Sequence, residues 1–320
     1  MSSPTHTPNV LKTAAVLVAL QLAYVFFFVY PGHDPQPNGL RIGVVATATQ
    51  TRTVEHQLDA VELPGSDLVR FDSAEQARSA ITNRDVYGAV VFDGKGEQVL
   101  TAPAASFTVS SLLTQAASQA KGARVAEVVP LSSGDPRGVV LNLLIIPLIV
   151  TGLLGAQLAV QIVGTVRLKR RLWTVALVAA AGALAVATLI GPVLGTLPGP
   201  LLPEAAVLTL AIFGLLTVGG GLIRLLGPAG LFFAFAIFLM IGNPSSGVAS
   251  APELLPTPWA QAGAFLTPGA LASALRSIAY FDSARSMGPL LVLAIIAAVG
   301  IALEALADRT EARKRRAPGE

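Results

Sequence analysis

The chain contains no cysteine, which excludes disulfides, thiolate metal sites and a cysteine nucleophile. Histidine is nearly as scarce, at three in 320 residues. His6, His33 and His56 fall in the N-terminal tail, a hinge and a polar domain, with no Gly-x-Ser-x-Gly elbow to accompany them, so the sequence offers no hydrolase centre and no catalytic residue. Charge is the third shortage. Asp, Glu, Lys and Arg make up 13% of the chain, against about 25% in an ordinary soluble domain. A phosphate loop ending in Gly-Lys-Ser/Thr is also missing. The nearest string, Asp93-Gly94-Lys95-Gly96, lacks the upstream glycine and the hydroxyl and reads as a turn between two strands. No cofactor is expected in this chain, and any ATP chemistry belongs to a partner.

What the chain has in abundance is apolar sequence, 53% of its residues. Five long runs, Thr13–Tyr30, Val139–Val166, Leu172–Leu197, Glu204–Leu226 and Gly288–Ala307, are joined by a shorter one at Pro228–Ile241. A hydrocarbon core of about 30 Å needs roughly 20 helical residues to cross it, because a helix satisfies its own backbone without water. The expected fold is an α-helical polytopic membrane protein with about six transmembrane helices. A small extracytoplasmic α/β domain is expected between the first and second helices. The first run is longer than a usual signal-peptide core and no A-x-A-like cleavage site follows Tyr30, so it reads as a retained anchor.

Lys and Arg near the span ends set the orientation. With the N-terminus inside, Lys12, Arg167, Lys169, Arg170, Arg171, Arg224 and the run Arg309, Arg313–Arg316 all fall on the cytoplasmic side, and the short outer loops keep only Arg276 and Arg285. Both termini are then cytoplasmic and residues 31–138 are outside. The basic tail is explained by topology and anionic headgroups, so no nucleic acid is expected as a partner. The divisions are 1–30 (tail and first helix), 31–138 (α/β domain), 139–307 (five-helix domain, with a re-entrant or interfacial segment at 243–287) and 308–320 (basic tail).

Within 31–138, Arg41–Ala46, Leu68–Phe71 and Val86–Phe92 have the β-branched enrichment of strands. Helices are expected around Thr53–Val61, from Ala74 to about Arg84 behind a capping box at Ser73–Gln76, and over Phe107–Ala126. The alternation points to a partly parallel sheet. Pro31–Asn38 and Val129–Gly138 read as hinges.

Charged groups inside spans are candidates for function, but Glu204 and Glu304 sit near span ends and Arg224 is placed to snorkel. The uncharged polar set is more informative. Gln157 and Gln161 share a helix face, and with Asn142 they are candidate translocation-path residues, set against simple helix-to-helix hydrogen bonding. Trp259 and Tyr280 are candidate outer interfacial anchors. They lie in Asn243–Met287, a segment broken by Pro and Gly yet too apolar for a free loop.

One span, a domain with the strand Val86-Tyr87-Gly88-Ala89-Val90-Val91-Phe92 after the helix Ala74–Arg84, and five clustered spans together resemble the permease subunits of ABC-2 type exporters. More narrowly, they resemble the phage-infection-protein-like membrane proteins of bacteria. Ser133-Gly134-Asp135-Pro136-Arg137-Gly138, Gly242-Asn243-Pro244-Ser245-Ser246-Gly247, Leu255-Pro256 and Thr267-Pro268-Gly269-Ala270 carry the likeness. The resemblance implies an exporter working as a homo- or heterodimer of permease halves with a separate P-loop ATPase, in contact with membrane lipid in a bacterial plasma membrane. Its cargo would be an amphipathic, lipid-like or antimicrobial compound. The inner loop Arg167–Arg171 is very short for ATPase docking, and the alternative is a non-transporting envelope protein whose domain binds a cell-envelope component, a secreted partner or a phage.

Overall fold

The computed structural model describes residues 7–33, 37–94, 96–120 and 122–316. His6, part of the Pro31–Asn38 hinge, Lys95 and residues 317–320 fall outside them. Six helices are long and apolar enough to cross a membrane: α1 (Thr7–Val29), α5 (Val140–Val163), α6 (Leu168–Thr188), α7 (Leu201–Leu226), a composite fifth, and α12 (Met287–Arg316). The fifth runs from α8 (Pro228–Phe235) through a π-type turn at Ala236–Gly242 into the short α9 (Asn243–Ser245). It spans 18 residues, about 27 Å at 1.5 Å per residue. The protein is a polytopic helical membrane protein with a small α/β domain inserted after its first span.

That domain is built on a five-stranded sheet of β1 (Arg41–Val45), β2 (Asp67–Arg70), β3 (Gly88–Asp93), β4 (Gly96–Thr101) and β5 (Arg124–Glu127), in the order β2-β1-β3-β4-β5. All neighbours are parallel except the β3–β4 hairpin. The helices are α2 (Ala48–Asp59), α3 (Ala74–Thr82) and α4 (Phe107–Gln119). Alternation along β3 sends Val90 into the core on one face with Val54, Leu58 and Leu113, and Ala89 and Val91 into the other with Ala77 and Ile81, as the two-residue period requires.

Two sequence expectations change here. Helix α4 stops at Gln119, and beyond Gly122, at φ +79°, the chain forms strand β5, paired with Gln98–Thr101; backbone pairing with β4 overrides the helical pattern. At Ser73 the hydroxyl accepts from Gln76 N, but the Gln76 side chain accepts from Asp72 N, one residue outside a reciprocal box. The reciprocal capping box instead opens α2, between Thr47 and Gln50.

In the bundle, α7 is the central helix and packs against α5, α6, α8, α11 (Thr267–Tyr280) and α12. By contrast, α1 packs mainly on the composite fifth span and its own short C-terminal turn. Between Ser246 and Ser286 the chain folds into α10 (Trp259–Ala264), which packs on α9 and α11, and α11, which with residues 250–254 meets the α/β domain. The fit is close: a Cβ on Gly263 would stand 1.7 Å from the Ser245 carbonyl oxygen. Ala251 and Leu254 enter one core of the α/β domain, and Phe281 enters the other.

Candidate functional site

The polar chemistry gathers at the two ends of the bundle. At the domain-bearing end, α11 presents Ser273, Arg276, Ser277 and Tyr280 at helical spacing. Arg84, which follows α3 with φ 59°, reaches across from the domain. Its Nη1 donates to Ser273 O at 3.1 Å, Ser273 Oγ at 3.4 Å and Ser277 Oγ, and its guanidinium lies over the Phe281 ring. Tyr87 donates to Glu253 Oε2 at 2.6 Å, Ser106 Oγ donates to Ser250 O at 2.6 Å, and Arg285 pairs with Asp85. Burial, reinforced by the like charge of Arg276, lowers Arg84 to about 10. Burial and the neighbouring Glu253 carboxylate push the Tyr87 phenol above its ordinary range.

A cavity of about 190 Å³ opens between the domain and the bundle, lined among others by Phe107, Arg137, Val139, Asn142, Arg276 and Tyr280. Asp135 also faces it, but both its oxygens are occupied, accepting from Val139 N and Val140 N at 2.9 Å each, where they cap α5. The Tyr280 hydroxyl donates to Thr196 O at 3.1 Å, and burial raises its pKa. Asn142 also lines a neighbouring cavity of about 240 Å³ next to Phe28, Asn243 and Ser246. The structure therefore brings Asn142 and Tyr280 together. Trp259 stands apart, edge-on to Phe27 with ring centroids 5.3 Å apart, and so ties α1 to α10. Gln157 and Gln161 lie about 22 and 28 Å further along α5, half-buried and exposed respectively on the bundle's outer surface.

At the opposite end a charged network is buried. Arg171 Nε and Arg224 Nη1 meet Glu304 Oε2 at 3.0 and 2.9 Å, and both arginines contact Asp308 Oδ1, at 2.9 and 2.6 Å. Arg224 also pairs with Glu311, and Arg171 donates to the Gly164 and Val166 carbonyls. The Arg171, Arg224 and Glu304 side chains are 2%, 3% and 6% exposed. This corrects the interfacial reading of Arg224 and Glu304: neither reaches out of the protein, because each is the other's counter-ion. The pattern is present in the sequence as Glu304, Asp308 and Glu311, three acids on one face of the last span. Glu204 is likewise not interfacial, being fully buried against the Gly199 backbone.

Among the described residues no group of three His, Asp or Glu side chains is placed to hold a metal. His33 Nδ1 donates to Tyr30 O at 2.8 Å, and His56 is exposed on α2. The chain matches no family model, no curated protein and no solved structure.

Proposed function

We propose that this chain is a permease-like subunit of an ABC-2 type exporter that moves an amphipathic or lipid-like compound outward across a bacterial plasma membrane. The observation that supports this reading most is the polar track on α5. Gln161 and Gln157 occupy its bundle-outer surface and Asn142 opens into the domain-side cavities; at 100° per residue all three lie within an arc of about 100°. Amide side chains on a lipid-facing surface are unfavourable unless another helix or a polar solute covers them. The interior around α7 is closely packed, with Gly152, Gly219 and Ala156 among the contacts between α5 and α7, so the path in this reading lies between two chains. Both termini are cytoplasmic and the α/β domain outside, and the energy comes from a separate ATPase. The test is efflux of a fluorescent amphiphile from cells carrying Gln157→Leu with Gln161→Leu. Reduced efflux at unchanged expression is expected, and undiminished efflux removes the path.

A second reading, a non-transporting envelope protein, is favoured by the sparse connections at the end away from the domain. Only residues 164–167 join α5 to α6, and Gly227 alone separates α7 from α8. Affinity purification of the tagged full chain in mild detergent separates the two readings. A P-loop ATPase at near 1:1 supports the exporter, and its repeated absence supports the envelope-binding protein.

A further inference from the structure

Among the described residues no carboxylate is in contact with Arg276. It is 8% exposed, yet among the described residues it forms no ion pair, and its one hydrogen bond is from Nη2 to Val248 O at 3.3 Å. Its neighbour Arg84 also bonds only to neutral oxygens. One carboxylate, Glu253, acts on both through its charge while accepting from Tyr87, so two buried guanidiniums share a single negative charge at a distance. Burying a guanidinium without an anion costs several kcal/mol. The opposite end of the bundle shows how this chain treats buried arginines elsewhere, with three acids for Arg171 and Arg224.

Arg276 lines the 190 Å³ cavity with the polar residues Asp135, Asn142, Thr196, Ser250 and Tyr280 among apolar neighbours such as Leu141. At its edge stand Phe107 and Val139, 43% and 44% exposed, and the exposed Arg137. The α5 N-terminus adds a partial positive charge, but Asp135 already occupies its amides. The Asp135 carboxylate also lines this space but is turned onto the α5 amides. That leaves a buried fork of N–H donors with no carboxylate in contact, a second cation at the rim and apolar neighbours, a fit for a molecule with an anionic head and an apolar body. With the domain-bearing end facing outward, the mouth lies where a span emerges, at headgroup depth.

We propose that this cavity binds the phosphate-type oxyanion of an amphiphile, held by Arg276 with Arg137 and Asn142 at the rim. The placement at the outer leaflet rests on the orientation proposed above; the binding requires neither transport nor an ATPase.

The test uses the full chain in an uncharged detergent, with binding of dihexanoyl phosphatidic acid counted by native mass spectrometry. The background variant carries Arg167→Gln, Lys169→Gln, Arg170→Gln, Arg309→Gln, Arg313→Gln, Lys314→Gln, Arg315→Gln and Arg316→Gln, which lowers headgroup attraction at the far end. One tight site is expected, absent for dihexanoyl glycerol, which has the same apolar body and no phosphate, and weakened about tenfold or more by Arg276→Gln, the loss expected for a charge-assisted hydrogen bond. Arg276→Lys keeps part of it. Full competition by inorganic phosphate identifies a free oxyanion as sufficient, and failure to compete identifies the lipid as the ligand. If Arg276→Gln does not fold, Asn142→Leu is expected to weaken binding several-fold. Equal binding by the parent and whichever of these variants folds, or no site at all, overturns the proposal. Undiminished efflux in the Gln157→Leu, Gln161→Leu variant, with binding here intact, would count against the exporter path alone and leave this proposal standing.

Discussion

Glu304 rests Oε1 against the backbone of Gly220: a Cβ added at Gly220 would lie 2.5 Å from that oxygen. The carboxylate has no free direction in which to retreat, because its other oxygen is held by Arg171 and Arg224. Gly220→Ala should therefore lower stability by about 1–3 kcal/mol, as overpacking in a fixed core does. Gly182→Ala, on the exposed face of α6 with nothing within 4 Å, should be neutral or slightly stabilising. Thermal unfolding of both variants in one detergent measures the contrast.

Glu304→Gln removes the carboxylate that the two buried arginines share. Breaking such a pair from one side costs about 3–5 kcal/mol, so a large drop in unfolding temperature is expected. Asp308→Asn should cost less, since the Asp308 side chain is 33% exposed and water compensates part of the loss. Equal effects from the two would mean that Glu304 is not the hub.

Tyr87 gives a pH prediction at the other end. Its folded pKa lies above the ordinary 10, so the neutral phenol contributes stability that is fully present below about pH 10 and is lost as pH rises further. The stability difference between the parent and Tyr87→Phe should shrink by up to about 1.4 kcal/mol per pH unit above 10. Arg84 acts with the opposite sign: its pKa is lowered from 12.5 to about 10, so stability rises with pH between those values. Arg84 is present in both proteins, but its charge and that of Tyr87 act on each other, so only part of its contribution cancels in the difference. Denaturation followed from pH 8 to 11.5 checks the slope.

The absence of cysteine makes the proposed orientation directly measurable, since each introduced thiol is the only one. Ser118→Cys on α4 and Thr165→Cys between α5 and α6, both at solvent-accessible positions, should differ completely toward a membrane-impermeant maleimide. Intact cells should label the first and spare the second. The reverse pattern would invert the topology.

The six spans are legible in the sequence because length and hydropathy are properties of a contiguous run. Strands β1 to β3 are legible for the same reason, since Ile42, Val44, Val90 and Val91 are locally clustered apolar residues. Strand β5 is not, because Arg124 to Glu127 has no buried position in it and exists through pairing with β4. The site divides along the same line. Asn142 and Tyr280 stand out as isolated polar or aromatic residues, but the approach of Arg84 to Ser273 and Ser277 joins segments nearly 190 residues apart, and no local pattern encodes it. Arg276 reads in the sequence as an outer-loop charge, since its lack of a contacting carboxylate among the described residues becomes visible only once the chain is folded.

The α/β domain borrows Ala251, Leu254 and Phe281 for its two cores, and Asn38 N donates to Glu253 O at 2.7 Å. During synthesis, at roughly 5–20 residues per second, the segment 40–129 leaves the ribosome many seconds before those closing residues exist. Its two cores are completed only when residues that follow the fourth and fifth spans have been made. A quality-control protease acting in that interval would meet an unfinished domain on every chain, correctly assembled or not. Chain order therefore puts the last packing contacts of the head after the synthesis of five of the six spans.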